Sequence, residues 1–277
     1  MSSISEKYER ANQINKQMNA NKDKGDFKQH NIFFNWGNKN EHTIRLVGGF
    51  VFGQTHWIGK SAFGNNKVDI INPDAITEKK LPMKIACTNW DITTESFEGD
   101  DCPICRLRKA AEALLNNSEG VEECHKQEWK AVRDKCRCGS VYLFKCIDRD
   151  NPYVAEGEKG AKIIQMPSEL VEAIAALDKQ LTDCDLSSDE EGIDIMIKRE
   201  VPATGKGRTK YSAVPVFNGV KIKQTPLTAE EKASADSIDL TKFVGKKIAS
   251  DLLESEFTPI AQQIISSVSE DTDSMPF

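Results

Sequence analysis

Residues 100–107, Asp100-Asp101-Cys102-Pro103-Ile104-Cys105-Arg106-Leu107, hold the tetrapeptide around which the chain is read. Two thiolates two residues apart at a tight turn can both face one tetrahedral Zn2+ ion, and a helix begins at once after them. Structural zinc takes four N or S ligands, so two more donors must come from elsewhere. The candidates are His56 and Cys87 upstream, and Cys124, His125, Cys136 and Cys138 downstream. Spacing leaves the choice open. Cys136-Arg137-Cys138 has a single intervening residue, which alternation along a strand would splay apart. Cys124-His125 lies in an expected helix, where adjacent residues do not share a face. Cys146 and Cys184 read as small buried hydrophobes. A redox CxxC would follow a βαβ pattern, which is missing here.

Outward from this motif the pattern is of short strands with helical additions. His30–Trp36, His42–Phe52, Gly139–Arg149, Ala161–Met166, Gly192–Arg199 and Thr209–Phe217 have β-type runs. Gly48-Gly49 in the second run suits a bend or bulge. A long insertion, about 53–138, separates the second strand from the third and contains most of the cysteines, with helices expected over 104–116 and 121–135. Ser168 opens another helix through Leu170, Val171, Ile174, Leu177 and Leu181, and a weakly amphipathic helix is expected over Ile238–Leu253. The expected fold is mainly β with helical additions (α+β), a small elaborated barrel rather than a doubly wound sheet. Three segments follow: an N-terminal helical arm at 1–25, a core at 26–225, and a C-terminal helix with a flexible acidic tail at 226–277.

The 277-residue chain carries 37 Lys and Arg against 43 Asp and Glu. Its net charge of −6 lies entirely in residues 226–277, which hold four Lys and ten acidic groups, so residues 1–225 are neutral. The sequence pI therefore says little about the core's partners. No apolar run approaches the roughly 18–20 residues that cross a bilayer. Met1–Lys7 lacks a signal peptide's apolar stretch, so the expected setting is cytoplasmic, with no membrane partner and with reduced cysteines.

His56-Trp57, then Cys87, then Asp100–Leu107 resemble the zinc-binding core of the T-even-phage type of single-stranded-DNA-binding (helix-destabilising) protein. The resemblance covers about residues 30–225, specifically at the zinc motif and loosely elsewhere. It implies an OB-fold barrel with an inserted zinc-binding subdomain and one structural Zn2+ held by His56, Cys87, Cys102 and Cys105. It also implies a role in phage DNA replication, recombination and repair, with self-association along the DNA. The stretch from His56 to Cys87 is much longer than the family's, and its basic N-terminal self-association motif has no clear counterpart in Met1–Lys7. The last residues, Glu270-Asp271-Thr272-Asp273-Ser274-Met275-Pro276-Phe277, are similar instead to the acidic, Pro-Phe-ending tip of bacterial single-stranded-DNA-binding proteins. That likeness implies that Asp271, Asp273, Met275, Pro276 and Phe277 dock replication and recombination proteins.

Sequence-tolerant binding of single strands needs a basic groove for phosphates and aromatic faces for bases. Residues 198–223 carry seven basic groups against Glu200 alone, and the basic cluster Arg106, Arg108 and Lys109 follows the cysteine pair. The expected DNA contacts are Arg106, Arg108, Lys135, Arg137, Lys206, Arg208 and Lys210, with Trp57, Trp90, Tyr142, Phe144 and Tyr211 for stacking. Tyr142 and Phe144 share a strand face opposite Val141, Leu143 and Ile147; the alternative is that Phe144 is core. Phe33, Phe34 and Trp36 read as core in part. Two rival readings are an adaptor that uses zinc only for folding and a zinc-containing nucleic-acid-processing enzyme. The H-x-E signature of zinc deaminases is absent near the CxxC, and four scattered histidines assemble no hydrolytic triad. The expectation is therefore a binding protein and not an enzyme.

Overall fold

A computed structural model describes residues 32–59, 68–155, 157–181, 185–202, 207–218, 221–222 and 224–272. The expected arm at 1–25, Cys184, Lys206, Asp273, Met275, Pro276 and Phe277 lie outside the described residues, as does the side chain of Asp271. The fold is mixed α+β with a mainly antiparallel sheet. It comprises two compact units, one from Met1–Phe50 with Tyr142–Leu240 and one from Val51–Val141 with Thr241–Phe277. The division falls inside the two longest strands, β1 (Glu41–Trp57) and β5 (Cys138–Asp148). The sequence drew 226–277 as one segment, whereas Thr241 onward groups with the cysteine-bearing unit.

In the first unit the strand order is β10-β9-β1-β5-β8, where β8 is Lys162–Met166, β9 Asp194–Glu200 and β10 Lys210–Pro215. β9 pairs antiparallel with β1 from Glu41↔Lys198 to Arg45↔Asp194, and β10 pairs with β9. This path has two ends, so the described residues form an open sheet and no closed barrel. β9 alternates as a half-buried strand should, with Ile195 and Ile197 buried and Asp194, Met196 and Lys198 partly exposed. A helix at Ser168–Gln180 lays Leu170, Ile174 and Leu177 on the same core, an apolar stripe at helical spacing. The expected strand at His30–Trp36 reduces, within the described residues, to a single parallel bridge from Phe33 to Ile163.

In the second unit β2 (Lys84–Ala86) pairs with the end of β1, placing His56 opposite Ile85. Helices α2 (Pro103–Asn116) and α3 (Glu123–Lys135) pack together, after a short α1 at Pro73–Thr77. α2 starts on Pro103, whose fixed φ suits a first helical position. It buries Ile104, Leu107 and Ala111 against the C-terminal helix Pro259–Thr272, which contributes Ala261 and Ile264. The helix expected over Ile238–Leu253 is replaced by a 3-10 turn at Leu240–Phe243 and a short helix at Ser250–Ser255. Between them the chain runs alongside β2: Ala86 N donates to Lys246 O at 3.1 Å. Gly245 permits this approach, since a Cβ there would meet Ala86 N at 2.8 Å.

Candidate metal centre

The unit's core converges on five donors. His56 comes from β1 and Cys87 from the residue after β2. Cys102 is the residue before α2, Cys105 lies in its first turn, and Cys138 starts β5. Local bonds hold each in place. Cys87 N donates to Gln54 O at 2.9 Å, and Cys102 N donates to the buried Asn89 Oδ1 at 2.7 Å. Thr55 Oγ1 donates to Gly139 O at 3.3 Å, which ties the start of β5 to β1 beside His56.

The donor atoms of His56, Cys87, Cys105 and Cys138 all lie within 4.8 Å of one another. Cys87 Sγ is 3.5 Å from Cys105 Sγ, which is 4.0 Å from Cys138 Sγ. His56 Nε2 is 3.5 Å from Cys105 Sγ and 3.4 Å from Cys138 Sγ. Around tetrahedral zinc, bonds of about 2.3 Å to S and about 2.0 Å to N give ligand edges of roughly 3.5–3.8 Å. The cluster therefore has the size and donor chemistry of a zinc site, and this buried group could hold a metal ion.

The histidine is set for ligation. Its Nδ1 lies 3.1 Å from Cys136 O, and a carbonyl can only accept, so Nδ1 carries the proton. Nε2 then faces the sulfurs, the orientation seen when a ligating histidine gives its other N–H to a backbone carbonyl. Burial alone would lower the basicity of His56, but hydrogen bonds with Cys102, Cys138 and Cys87 outweigh it and push the ring up to about 11, so Nε2 holds a proton that a bound cation would displace. The sulfurs are driven apart. Contacts with Cys102, Cys105 and Cys138 hold Cys87 below the ordinary thiol range, and Cys105 holds Cys102 there too, while Cys102 and Cys138 push Cys105 far above it. Ionised sulfurs this close repel one another, and a divalent cation among them removes the conflict.

Of the nominated quartet His56, Cys87, Cys102 and Cys105, three fall in this group; Cys138 takes the fourth place in it, and Cys102 lies outside the group although its Sγ is 3.3 Å from His56 Nε2. The strand alternation expected at Cys136-Arg137-Cys138 is absent, because Cys136 caps the end of α3 and β5 begins only at Cys138; the Cys136 thiol is fully buried, and its carbonyl reaches His56. Cys124 and His125 form a separate exposed group with Glu122. Cys146 is fully buried, as a small hydrophobe should be.

Several expected DNA contacts are structural instead. Trp90 is buried edge-on against Phe52 and Phe97 at 5.0 Å each, and its Nε1 donates to Phe52 O. Lys135 is buried, and its ammonium donates to Gly59 O at 2.7 Å. Phe144 is core, because β5 buries Val141, Leu143 and Ile147 on one face and Phe144 and Cys146 on the other. Arg106 is exposed but paired with Glu254. Trp57 and Arg137 are exposed and Arg108 is partly buried, all three in the cysteine-bearing unit.

In the first unit Arg208 and Lys210 are exposed, and Tyr142 and Tyr211 are half-buried at the margin of the core. Residues that sequence reasoning did not nominate complete this margin. The Arg199 guanidinium lies 5.1 Å over the Trp36 ring, and Trp36 is 6.3 Å from Tyr211, which stands opposite Arg199 in the β9–β10 register. Phe50 is 46% exposed and stacks on Phe144 at 4.8 Å and 21°. The available signals were the one-sided charge of 198–223 and the aromatic run at 33–36, which no spacing rule connects.

Among the described residues no helix is long and apolar enough to cross a membrane. Comparison with known proteins finds no family model and no curated protein that matches this chain.

Proposed function

We propose that this chain is a single-stranded-DNA-binding protein with a structural zinc centre, acting in phage replication, recombination and repair. The observation that carries the reading is the Trp36–Arg199–Tyr211 group beside the basic β9–β10 hairpin. Two half-buried rings give π-faces of fixed orientation, on which any base can stack. Arg199 is held by Gly37 O at 3.0 Å and Asn40 Oδ1 at 3.2 Å, so its guanidinium is oriented before a strand arrives. Exposed Arg208 and Lys210 on the same hairpin suit phosphates. Lack of base-edge selectivity is what a coating protein needs, and stacking with phosphate contacts supplies it.

On this reading the first unit is an elaborated OB-type sheet and the zinc only holds the second unit together. Four protein donors would close a tetrahedral ion, whereas a catalytic zinc keeps an open position, which favours a binding role over an enzyme. The C-terminal tip through Phe277 would recruit replication proteins, and coating would include self-association along the strand.

The test is fluorescence titration with an oligo(dT) across a salt series. Trp36→Ala should weaken binding roughly ten- to hundred-fold, the worth of one stacked base. Arg208→Ala with Lys210→Ala should also flatten the slope of log affinity against log salt by about 1.4, roughly 0.7 per phosphate contact on a single strand. Unchanged affinity and slope in these variants would remove this surface from the DNA site.

A further inference from the structure

The metal centre has more donors than a tetrahedral ion can use. Cys102 Sγ lies 3.3 Å from His56 Nε2, as close as Cys138 Sγ at 3.4 Å and Cys105 Sγ at 3.5 Å. Yet Cys102 falls outside the group of four whose donor atoms are all mutually within 4.8 Å. Two quartets can therefore be drawn, one completed by Cys138 and one by Cys102, and His56, Cys87 and Cys105 are common to both.

We propose that Cys102 and Cys138 share the fourth coordination position, so that either thiolate can leave while the ion stays bound. The proposal rests on the metal-binding reading of the cluster. The three shared ligands are fixed: His56 is fully buried and tied to Cys136 O, and Cys87 and Cys105 touch each other at 3.5 Å. The two alternating donors differ in access. Cys102 is 1% exposed at the start of α2, whereas Cys138 is half-exposed at the first residue of β5. When Cys102 ligates, Cys138 is a partly exposed sulfur beside a loaded site. When Cys138 ligates, the cysteine pair of α2 is only half used. A metal centre of this kind survives the loss of one thiol, and it does so by exchange rather than by a fifth bond.

Zn2+ content after desalting and Co2+ absorption would be measured on wild type, Cys102→Ala, Cys138→Ala and the double variant. Wild type and both single variants should each retain one ion per chain, and the double variant should retain none. The thiolate-to-Co2+ charge-transfer band should have equal intensity in wild type and both singles, since each presents three thiolates and His56. An empty Cys102→Ala beside a loaded Cys138→Ala, or the reverse, identifies one fixed ligand and overturns the exchange. A band that weakens by about a quarter in both singles means four thiolates ligate without His56, which also overturns it. Wild type that takes up neither Zn2+ nor Co2+ overturns the metal reading itself, a distinct failure. Should a variant not fold, cadmium NMR of the loaded wild type decides. Couplings to the Cβ protons of both Cys102 and Cys138 together with coupling to the His56 ring support exchange; coupling to only one of the two cysteines, or to both without His56, overturns it.

Discussion

The two units bury polar groups for different ends. The cysteine-bearing unit gathers His56 and four sulfurs, a set of donors that could hold a cation. The other unit buries full charges and satisfies them from its own chain. Arg45, with no exposure at all, donates to Leu46 O and Leu186 O at 2.7 Å each, to Thr225 O at 3.0 Å, and to Ser188 O. Gly192 makes room for it, since a Cβ there would collide with the guanidinium. Lys162 is 2% exposed and reaches Asp148 Oδ2 at 3.5 Å and Asn151 O at 2.5 Å. The contrast teaches that burial of polar groups can organise a fold either through a dissociable ion or through permanent hydrogen bonds. Only the first responds to chelators.

The largest effect expected from this contrast is loss of the ion. A structural zinc site links metal binding to folding by an amount on the order of 10 kcal/mol. A strong chelator, or Cys87→Ser with Cys105→Ser, should therefore melt the metal-bearing unit at far lower temperature. Calorimetry that shows the same transition with and without chelator would break the comparison.

Next in size is Arg45→Leu. It leaves four carbonyls without their donor, two of them in fully buried contacts, and removing one side of a buried charged network costs about 3–5 kcal/mol. The unfolding free energy from urea denaturation should fall by that amount, with zinc content unchanged. A loss of zinc would show that the two devices are not separate.

Smaller and graded is the acid response of Asp148. Burial would raise its carboxyl, but His42, whose Nδ1 lies 3.7 Å away, and the charge of Lys162 outweigh that and hold it below the usual range. A carboxyl depressed in the folded state adds stability above its unfolded value of about 4, and this is lost as pH falls through the lower folded value. Urea midpoints of wild type should fall over that acid window, and those of Asp148→Asn should fall less. Thiolate ligands bind protons at higher pH than this carboxylate, so zinc should be released before Asp148 titrates. Parallel loss of both would blur the distinction.

Much of the sheet was legible in the sequence because its strands keep their patterns. The expected runs at His42–Phe52, Gly139–Arg149, Ala161–Met166 and Gly192–Arg199 overlap β1, β5, β8 and β9. The cysteine pair of 102–105 was legible because its spacing alone restricts the geometry. Cys138 was not singled out, because what brings it to His56 is the tie from Thr55 to Gly139, a contact between residues 84 apart. Phe144 and Trp90 were among the expected stacking residues, with core as the alternative for Phe144; β5 is buried on both faces, and Phe52 and Phe97 pack against Trp90. Lys135 hides its stem in the same way and spends its charge on Gly59 O. The helix expected over Ile238–Leu253 had passable periodicity. The pairing of Lys246 with β2 prevailed over it, as tertiary contacts commonly do over weak propensity.

The central claim, that the aromatic and basic margin around Trp36 holds single strands, is tested most directly by titrating the intact, zinc-loaded chain with an oligo(dT) and following its tryptophan fluorescence. The account predicts saturable quenching that weakens steeply as salt rises and is largely lost in Trp36→Ala. Fluorescence that stays unchanged at low salt, or quenching that Trp36→Ala leaves intact, would contradict it.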